Sequence, residues 1–191
     1  VNLKYLKIAE KAVERLIFIV KDLDLITKLE SDNMKLEKSK FNLISIINNV
    51  FEMLEIQANK KNISLIIDSK LKRVNVNADQ EKIHQVLTNL IENSVKYGKQ
   101  DGTTEISIED LIEDKLIIRI TDNGKGIKKE HFERLFERFY RVENSGNRST
   151  GGSGLGLAIV KHIIDAHNEK IYVESDFGVG SEFSFSLQKS N

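Results

Sequence analysis

The chain has 191 residues, 40% hydrophobic and 30% charged, which suits one substantial folded domain with an appendage. Its 29 Lys and Arg balance 29 Asp and Glu, so the formal net charge is zero and the basic excess of a general nucleic-acid binder is missing. With no cysteine it can form no disulfide, thiolate metal site or Cys nucleophile, and its longest apolar run, Leu16 to Val20, falls far short of the ~20 residues of a membrane-spanning helix.

The sequence starts at Val1 rather than Met and shows no signal peptide, and it reads as a piece of a longer protein. Residues 1–30 carry Leu6, Ala9, Val13, Leu16, Val20 and Leu23 at steps of three and four, the apolar seam of a helix that packs on another helix. Nothing later repeats that stripe. Residues 31–40 are polar and read as a linker. The pattern predicts a helix over 44–58, strands at 63–68 and 74–78, and a helix from an Asp79 cap to Tyr97. Strands follow at 103–109 and 115–121, joined by a turn at Glu113-Asp114. Residues 128–137 read as helical, 141–153 as a long Gly- and Ser-rich connection, and 155–166 as a helix. Strands at 170–175 and 182–187 close the chain. The expected fold is α+β: a mixed sheet covered by helices on one face, with the other face in water.

Three segments carry chemistry. Asn89, Asn93, Lys96 and Tyr97 crowd one side of a helix whose other side is Val86, Leu87, Leu90, Ile91 and Val95. Carboxamide oxygen suits a hard cation and ammonium suits phosphate, although a solvated helix face has a similar composition. Asp122-Asn-Gly-Lys-Gly-Ile127 follows a strand directly. Its carboxylate can accept from an exocyclic amine and its glycines let backbone approach a flat ring, while a plain Gly-rich turn reads the same way. Gly151-Gly-Ser-Gly-Leu-Gly-Leu157 opens a helix, where free N–H groups and the helix dipole face anions. It is neither a Walker A loop nor a dinucleotide fingerprint.

In this order the three segments resemble the N, G1 and G2 boxes of the histidine kinase branch of the Bergerat-fold (GHKL) ATPases. Phe132–Tyr140 resembles the F box of that family, and Gly178-Val-Gly-Ser-Glu-Phe183 its last Gly-x-Gly-Ser element. Residues 1–35 look like the second helix of the dimerisation hairpin, leaving 36–191 as the catalytic domain.

The resemblance implies the following roles. Asn93 ligates Mg²⁺; Asn89, Lys96 and Tyr97 contact phosphates or the nucleotide edge. Asp122 binds the adenine amino group, Gly124 and Gly126 line the adenine pocket, and Ile127 walls it. Gly152, Ser153, Gly154 and Gly156 approach the phosphates, Leu155 faces the nucleotide, and Ser181 lies near the adenine. Arg141, with Lys96, stabilises the γ-phosphate, and 141–153 form a lid over ATP anchored by Phe132, Phe136 and Phe139, the first two of which suit a core equally well. A water-activating Glu stands one turn before the Mg-binding Asn in hydrolysing relatives. Here that place holds Asn89, which cannot act as a base, so the site holds ATP without efficient hydrolysis. Glu92 reads as an exposed carboxylate. His84, His131, His162 and His167 lack the acidic follower of the phosphoacceptor and read as structural or surface residues.

The expected activity is transfer of the γ-phosphoryl of Mg·ATP to a histidine outside this chain, then to an aspartate on the receiver domain of a response regulator. The expected partners are that receiver domain and a second copy through residues 1–30. The piece itself would be cytoplasmic, its parent anchored in the inner membrane. Two other readings stay open: a serine kinase of the anti-sigma type, against which the first helix and the F box speak, and a nucleotide-independent scaffold with a decayed pocket.

Overall fold

The computed structural model describes residues 2–30, 35–69, 73–142 and 153–190. In chain order the elements are α1 (Asn2–Glu30), β1 (Lys38–Asn42), α2 (Leu43–Asn59), β2 (Ser64–Asp68), β3 (Asn75–Asp79) and α3 (Gln80–Tyr97). Then come β4 (Thr103–Asp110), β5 (Lys115–Asp122), a 3₁₀ turn (Lys129–Arg134), α4 (Gly156–Ala166), β6 (Ile171–Asp176) and β7 (Gly180–Gln188).

Five strands form one mixed sheet in the order β2-β4-β5-β7-β6. Among the described residues only the β2–β4 pair is parallel, and β1 and β3 form a separate antiparallel ribbon. Register puts Ile106, Ile120 and Phe183 in one cross-strand row and Ile108, Ile118 and Phe185 in the next. These rows face Ile47 and Val50 of α2, Ile83, Leu87 and Leu90 of α3, and Ile159, Ile163 and Ile164 of α4, in a single core. Each fully buried Leu, Ile or Phe there contributes about 1.5–3 kcal/mol. The other sheet face is polar: Arg119 pairs with Glu182 at 3.2 Å and Glu109 at 3.5 Å, and Thr121 donates to Glu182 at 3.0 Å. The expected one-sided α+β sandwich is therefore what the chain forms.

Helix caps follow the sequence closely. Asp79 Oδ1 accepts from the Lys82 N–H at 3.2 Å, the cap expected of α3. Asn42 Oδ1 accepts from the N–H groups of Ile44 and Val74, starting α2 and tying it to the segment before β3. The β4–β5 turn has positive φ at Glu113 (61°) and Asp114 (54°), the hairpin geometry that suits a right-twisted ribbon.

Two expectations need correction. The polar stretch 31–40 is not all linker, because β1 begins at Lys38 and pairs along its length with β3. Only Phe41 of that strand is buried, so no hydrophobic alternation announces it. Residues 128–137 do not form a continuous helix. They make one 3₁₀ turn over Lys129–Arg134 that packs near β6, and Leu135 beyond it is the buried anchor.

The seam of α1 is exposed. Leu6, Val13, Leu16 and Val20 are 55–64% accessible and Leu23 is 41%. A 29-residue helix with its apolar stripe in water is incomplete as it stands.

Candidate nucleotide site

One end of the helix-covered sheet face changes from apolar to polar. Register aligns Thr104, Asp122, Ser181 and Ser175 across β4, β5, β7 and β6, on the face that carries Ile106, Ile120, Phe183 and Val173 one step inward. Thr104 is fully buried, and Asp122 and Ser181 are 8% accessible. Ser94 of α3 shares a 2.6 Å hydrogen bond with Thr104, joining the helix to this row. Asp122 Oδ1 accepts from the Gly124 N–H at 2.8 Å. Burial pushes the Asp122 carboxyl above its usual pKa; the backbone N–H groups of Gly124 and Ser181, and the charge of Lys99, oppose the shift. Ser175 Oγ accepts from the Ile127 N–H at 2.8 Å and lies 3.0 Å from Ser181 Oγ, so the loop after Asp122 is fastened to β6 and β7. Asn123 Oδ1 accepts from the Thr103 N–H at 3.0 Å.

The loop glycines are there for close approach. Gly126 has φ +67°, and a Cβ on it would lie 2.0 Å from the Asp176 carbonyl oxygen. Gly126 thus lets its loop press on the end of β6, a more structural role than lining a ring. Gly124 seats its loop on the backbone of Tyr97 and Gly98.

Across from the polar row stands the C-terminal half of α3. Asn93 and Lys96 are half-buried, and Tyr97 is 39% accessible with the Lys96 Nζ 5.1 Å from its ring centre. Asn89 Nδ2 donates to the Gly156 carbonyl at 3.3 Å, linking α3 to the first residue of α4. The α4 N-terminus has no side-chain cap, which leaves its first N–H groups available to an anion. Just before it, Gly154 (φ +75°) accepts from the Phe139 N–H at 3.0 Å, and a Cβ there would meet the Phe139 backbone at 2.8 Å. Ser153 Oγ accepts from the Leu155 N–H at 3.2 Å.

Leu155 requires correction. Its side chain is wholly buried in the main core, so only its backbone is in reach of a ligand. Phe136 packs on the core, whereas Phe139 is 56% accessible with φ +61°. Arg141 is half-buried directly after Tyr140, whose hydroxyl lies 2.7 Å from His131 Nδ1. Glu92 is exposed. Gly152, and residues 143–152 of the expected lid, lie outside the described residues.

His167 has a structural job. Its Nδ1 donates to the Ile163 carbonyl at 2.7 Å and its Nε2 accepts from the Asp79 N–H at 3.0 Å, so α4's last turn holds the cap of α3. Burial lowers its pKa, the Ile163 bond opposing the shift. Among the described residues no group of three or more His, Cys, Asp or Glu could hold a metal. A lone carboxamide such as Asn93 suits a magnesium ion that brings most of its oxygen ligands as phosphate and water.

Ser94–Thr104, Ser175 and Asn123 are site-builders that spacing does not single out. Hydroxyls and amides in strands and turns look alike until register aligns them.

Comparison with known proteins agrees with this geometry. The family described as histidine kinase-, DNA gyrase B- and HSP90-like ATPase matches residues 78–191. The sensor histidine kinase WalK of Bacillus subtilis is 32% identical over 185 residues, 96% of this chain and 30% of that protein. The sensor protein kinase WalK of Staphylococcus aureus is 33% identical over 96% of this chain and 44% of its own length. The chain thus spans less than half the length of these curated relatives. The catalytic domain of the histidine kinase ThkA superposes with a TM-score of 0.70 at 31% identity, covering 81% of this chain and 97% of that one. The Acinetobacter baumannii histidine kinase AdeS gives 0.81 at 27% identity, over 97% and 84%. The sheet with one polar end, the helix pair above it and 31% identity across nearly the whole ThkA catalytic domain lead to one assignment: the chain belongs to the histidine kinase-, gyrase B- and HSP90-like ATPases, as an ATP-binding catalytic domain of the sensor histidine kinase kind.

Proposed function

We propose that this chain holds Mg·ATP between α3 and the polar end of the sheet and donates the γ-phosphoryl group to a histidine carried elsewhere. The observation that supports this best is the buried carboxylate of Asp122, set in a row of hydroxyls at the edge of an otherwise apolar core. An ionised group so placed is costly unless a donor meets it, and an adenine amino group is such a donor.

In this reading Asp122 takes the amino group, with Ser181 beside it, while Ile127, Gly124 and Gly126 shape the adenine end. Asn89, Asn93, Lys96 and Tyr97 serve the phosphate end from α3. The backbone of Ser153, Gly154 and Gly156 meets phosphate at the start of α4, where the Leu155 N–H is held by Ser153 Oγ, and Gly152 and Arg141 complete the set. Asn93 would hold Mg²⁺, which when bound neutralises phosphate charge. Lys96 and the α4 N-terminus orient the phosphates, and positioning with charge stabilisation carries most of phosphoryl transfer. Asn89, a neutral amide turned toward Gly156, supplies no base for water.

Residues 1–35 would be one helix of a dimerisation hairpin and 36–191 the catalytic domain. The exposed α1 stripe supports pairing with a second helix. ThkA has been solved in complex with the response regulator TrrA, and it matches 98% of this chain at 30% identity. A receiver domain is accordingly the expected next acceptor. The decisive experiment is titration calorimetry with ADP and Mg²⁺, followed by incubation with ATP and a histidine-bearing hairpin. Nucleotide binding and acid-labile phosphate on the hairpin are expected. Absence of binding at millimolar ADP would remove the proposal.

A further inference from the structure

We propose that Lys61, in the turn between α2 and β2, is a positioning residue for adenine recognition: it clamps the end of α3 against the Asp122–Gly124 turn. This rests on the nucleotide reading above.

The ammonium of Lys61 lies within hydrogen-bond distance of three backbone carbonyls, Val95 at 3.1 Å, Lys96 at 2.5 Å and Gly98 at 3.3 Å. An ammonium has three N–H donors, so these acceptors use all of them. Those of Val95 and Lys96 are carbonyls that a helix C-terminus leaves without partners, that of Gly98 belongs to the capping residue, and a cation there also opposes the helix dipole. Tyr97 is skipped. Its carbonyl oxygen turns instead to Gly124, where an added Cβ would come within 2.7 Å of it and 3.1 Å of the Gly98 Cα. Gly124 in turn donates its N–H to Asp122. A continuous chain of contacts therefore runs from Lys61 through the Val95–Gly98 backbone to the carboxylate that reads adenine.

The neighbours of Lys61 reinforce the clamp. Its carbonyl accepts from the Asp101 N–H at 2.9 Å, and Asn62 Nδ2 donates to Asp101 Oδ1 at 2.7 Å. The stretch 98–102 is thus held from both sides, by the 61–62 turn and by Asn123 through Thr103. Burial, with Lys125 nearby, lowers the Lys61 pKa, so the ammonium is held here at some cost. The hydrogen bonds of the Lys61 ammonium go to backbone carbonyls and not to Asp122 or to the α3 side chains that face phosphate, so it acts through backbone.

The test uses the absence of cysteine from the chain. Lys61→Cys creates a unique thiol, and aminoethylation restores an ammonium at nearly the same reach. ADP and inosine diphosphate affinities are measured by calorimetry at a temperature where circular dichroism shows every protein folded. Inosine lacks the amino group that Asp122 would accept from. Wild type should prefer ADP. In Lys61→Cys the ADP affinity should fall about tenfold and the ADP-to-IDP preference should shrink, because misplacing a recognition group by less than an ångström costs on this scale. Aminoethylation should bring both back. Should Lys61→Cys not fold, Lys61→Arg serves, since a planar guanidinium cannot converge on three carbonyls, and the same loss of preference is expected. Lys115→Met is the control. It removes the 3.0 Å pair with Glu169 at the other end of β5, roughly 23 Å from Asp122 at strand rise, and should lower thermal stability while leaving the preference untouched. An unchanged ADP-to-IDP preference in the folded Lys61 variant would overturn the inference, whatever its melting temperature. Failure of wild type to bind ADP would instead overturn the nucleotide reading.

Discussion

The two ends of the site are built differently. At the adenine end, Asp122, Ser181, Ser175, Thr104 and Ser94 are buried or half-buried and hydrogen-bonded to one another or to backbone at 2.6–3.0 Å. At the phosphate end, the half-buried Asn93 and Lys96 and the uncapped start of α4 are tied down mainly by Asn89–Gly156 and Gly154–Phe139. A rigid polar socket is prepared at one end, while the other keeps donors in reserve for charge that arrives with the ligand. Pre-formed hydrogen bonds give selectivity, and uncommitted N–H groups give capacity for phosphate.

That contrast can be broken by substitution. The largest effect is expected for Gly126→Ala. Positive φ and a Cβ 2.0 Å from the Asp176 oxygen together should cost about 3–5 kcal/mol of stability, read as a fall in melting temperature of roughly 10 °C. A near-wild-type melt would show that the adenine end is not rigid. Asp122→Asn comes next and should separate affinity from folding. The amide has one acceptor oxygen, already used by Gly124, so its NH₂ would meet the adenine amino group donor to donor. We expect ADP affinity to fall by about 2 kcal/mol, some 30-fold, with a smaller change in the ligand-free melt, because removal of a buried charge is opposed by the new NH₂ facing the Ser181 N–H.

Gly154→Ala probes the looser end. Its φ of +75° and the 2.8 Å approach to Phe139 should cost about 1–2 kcal/mol, less than at Gly126, measured by chemical denaturation. A loss equal to that of Gly126→Ala would erase the contrast between the ends. The smallest effect concerns His167, which joins the end of α4 to the N-cap of α3, away from both ends of the site. Its folded pKa is depressed, so its contribution to stability is complete above the unfolded value near 6.5 and is lost as pH falls through 6.5 toward the folded value. Lys38, Asp79 and Glu169 surround it, and only Lys38 adds to the depression. His162, depressed by burial and Arg138, acts with the same sign, so melting curves at pH 7.5 and 5.5 are best compared in a His162→Asn background. The decline on acidification should lessen when His167→Ala is added.

Much of the fold was legible in the chain. Apolar spacing in α2, α3 and α4 is strong, Asp79 is a plain cap, and Phe183, Phe185 and Leu187 alternate. β1 was not legible, because a surface ribbon stabilised by backbone pairing needs only one buried side chain. The helix expected over 128–137 failed for a related reason. Phe132 and Phe136 do have helical spacing, but Leu135 and Phe136 find their core contacts after a single 3₁₀ turn, and Phe139 takes positive φ to meet Gly154. For the site, the residues with distinctive spacing could be named from the chain as candidates, and register then sets Asp122 and Ser181 side by side. Leu155 was misread because a leucine inside a glycine-rich stretch looks ligand-facing, whereas the helix it precedes carries it into the core. Lys61 was invisible, since a lysine beside another lysine in a turn reads as solvated until its three carbonyls are seen.

The attachments between α3 and α4 carry a mechanical corollary. Asn89 grips α4 at its first residue, and His167, just past its last, grips the cap of α3. Fastened at two separated points, the pair is held against splaying, so a displacement of one helix carries the other with it until one of these hydrogen bonds, each worth about 1 kcal/mol, gives way.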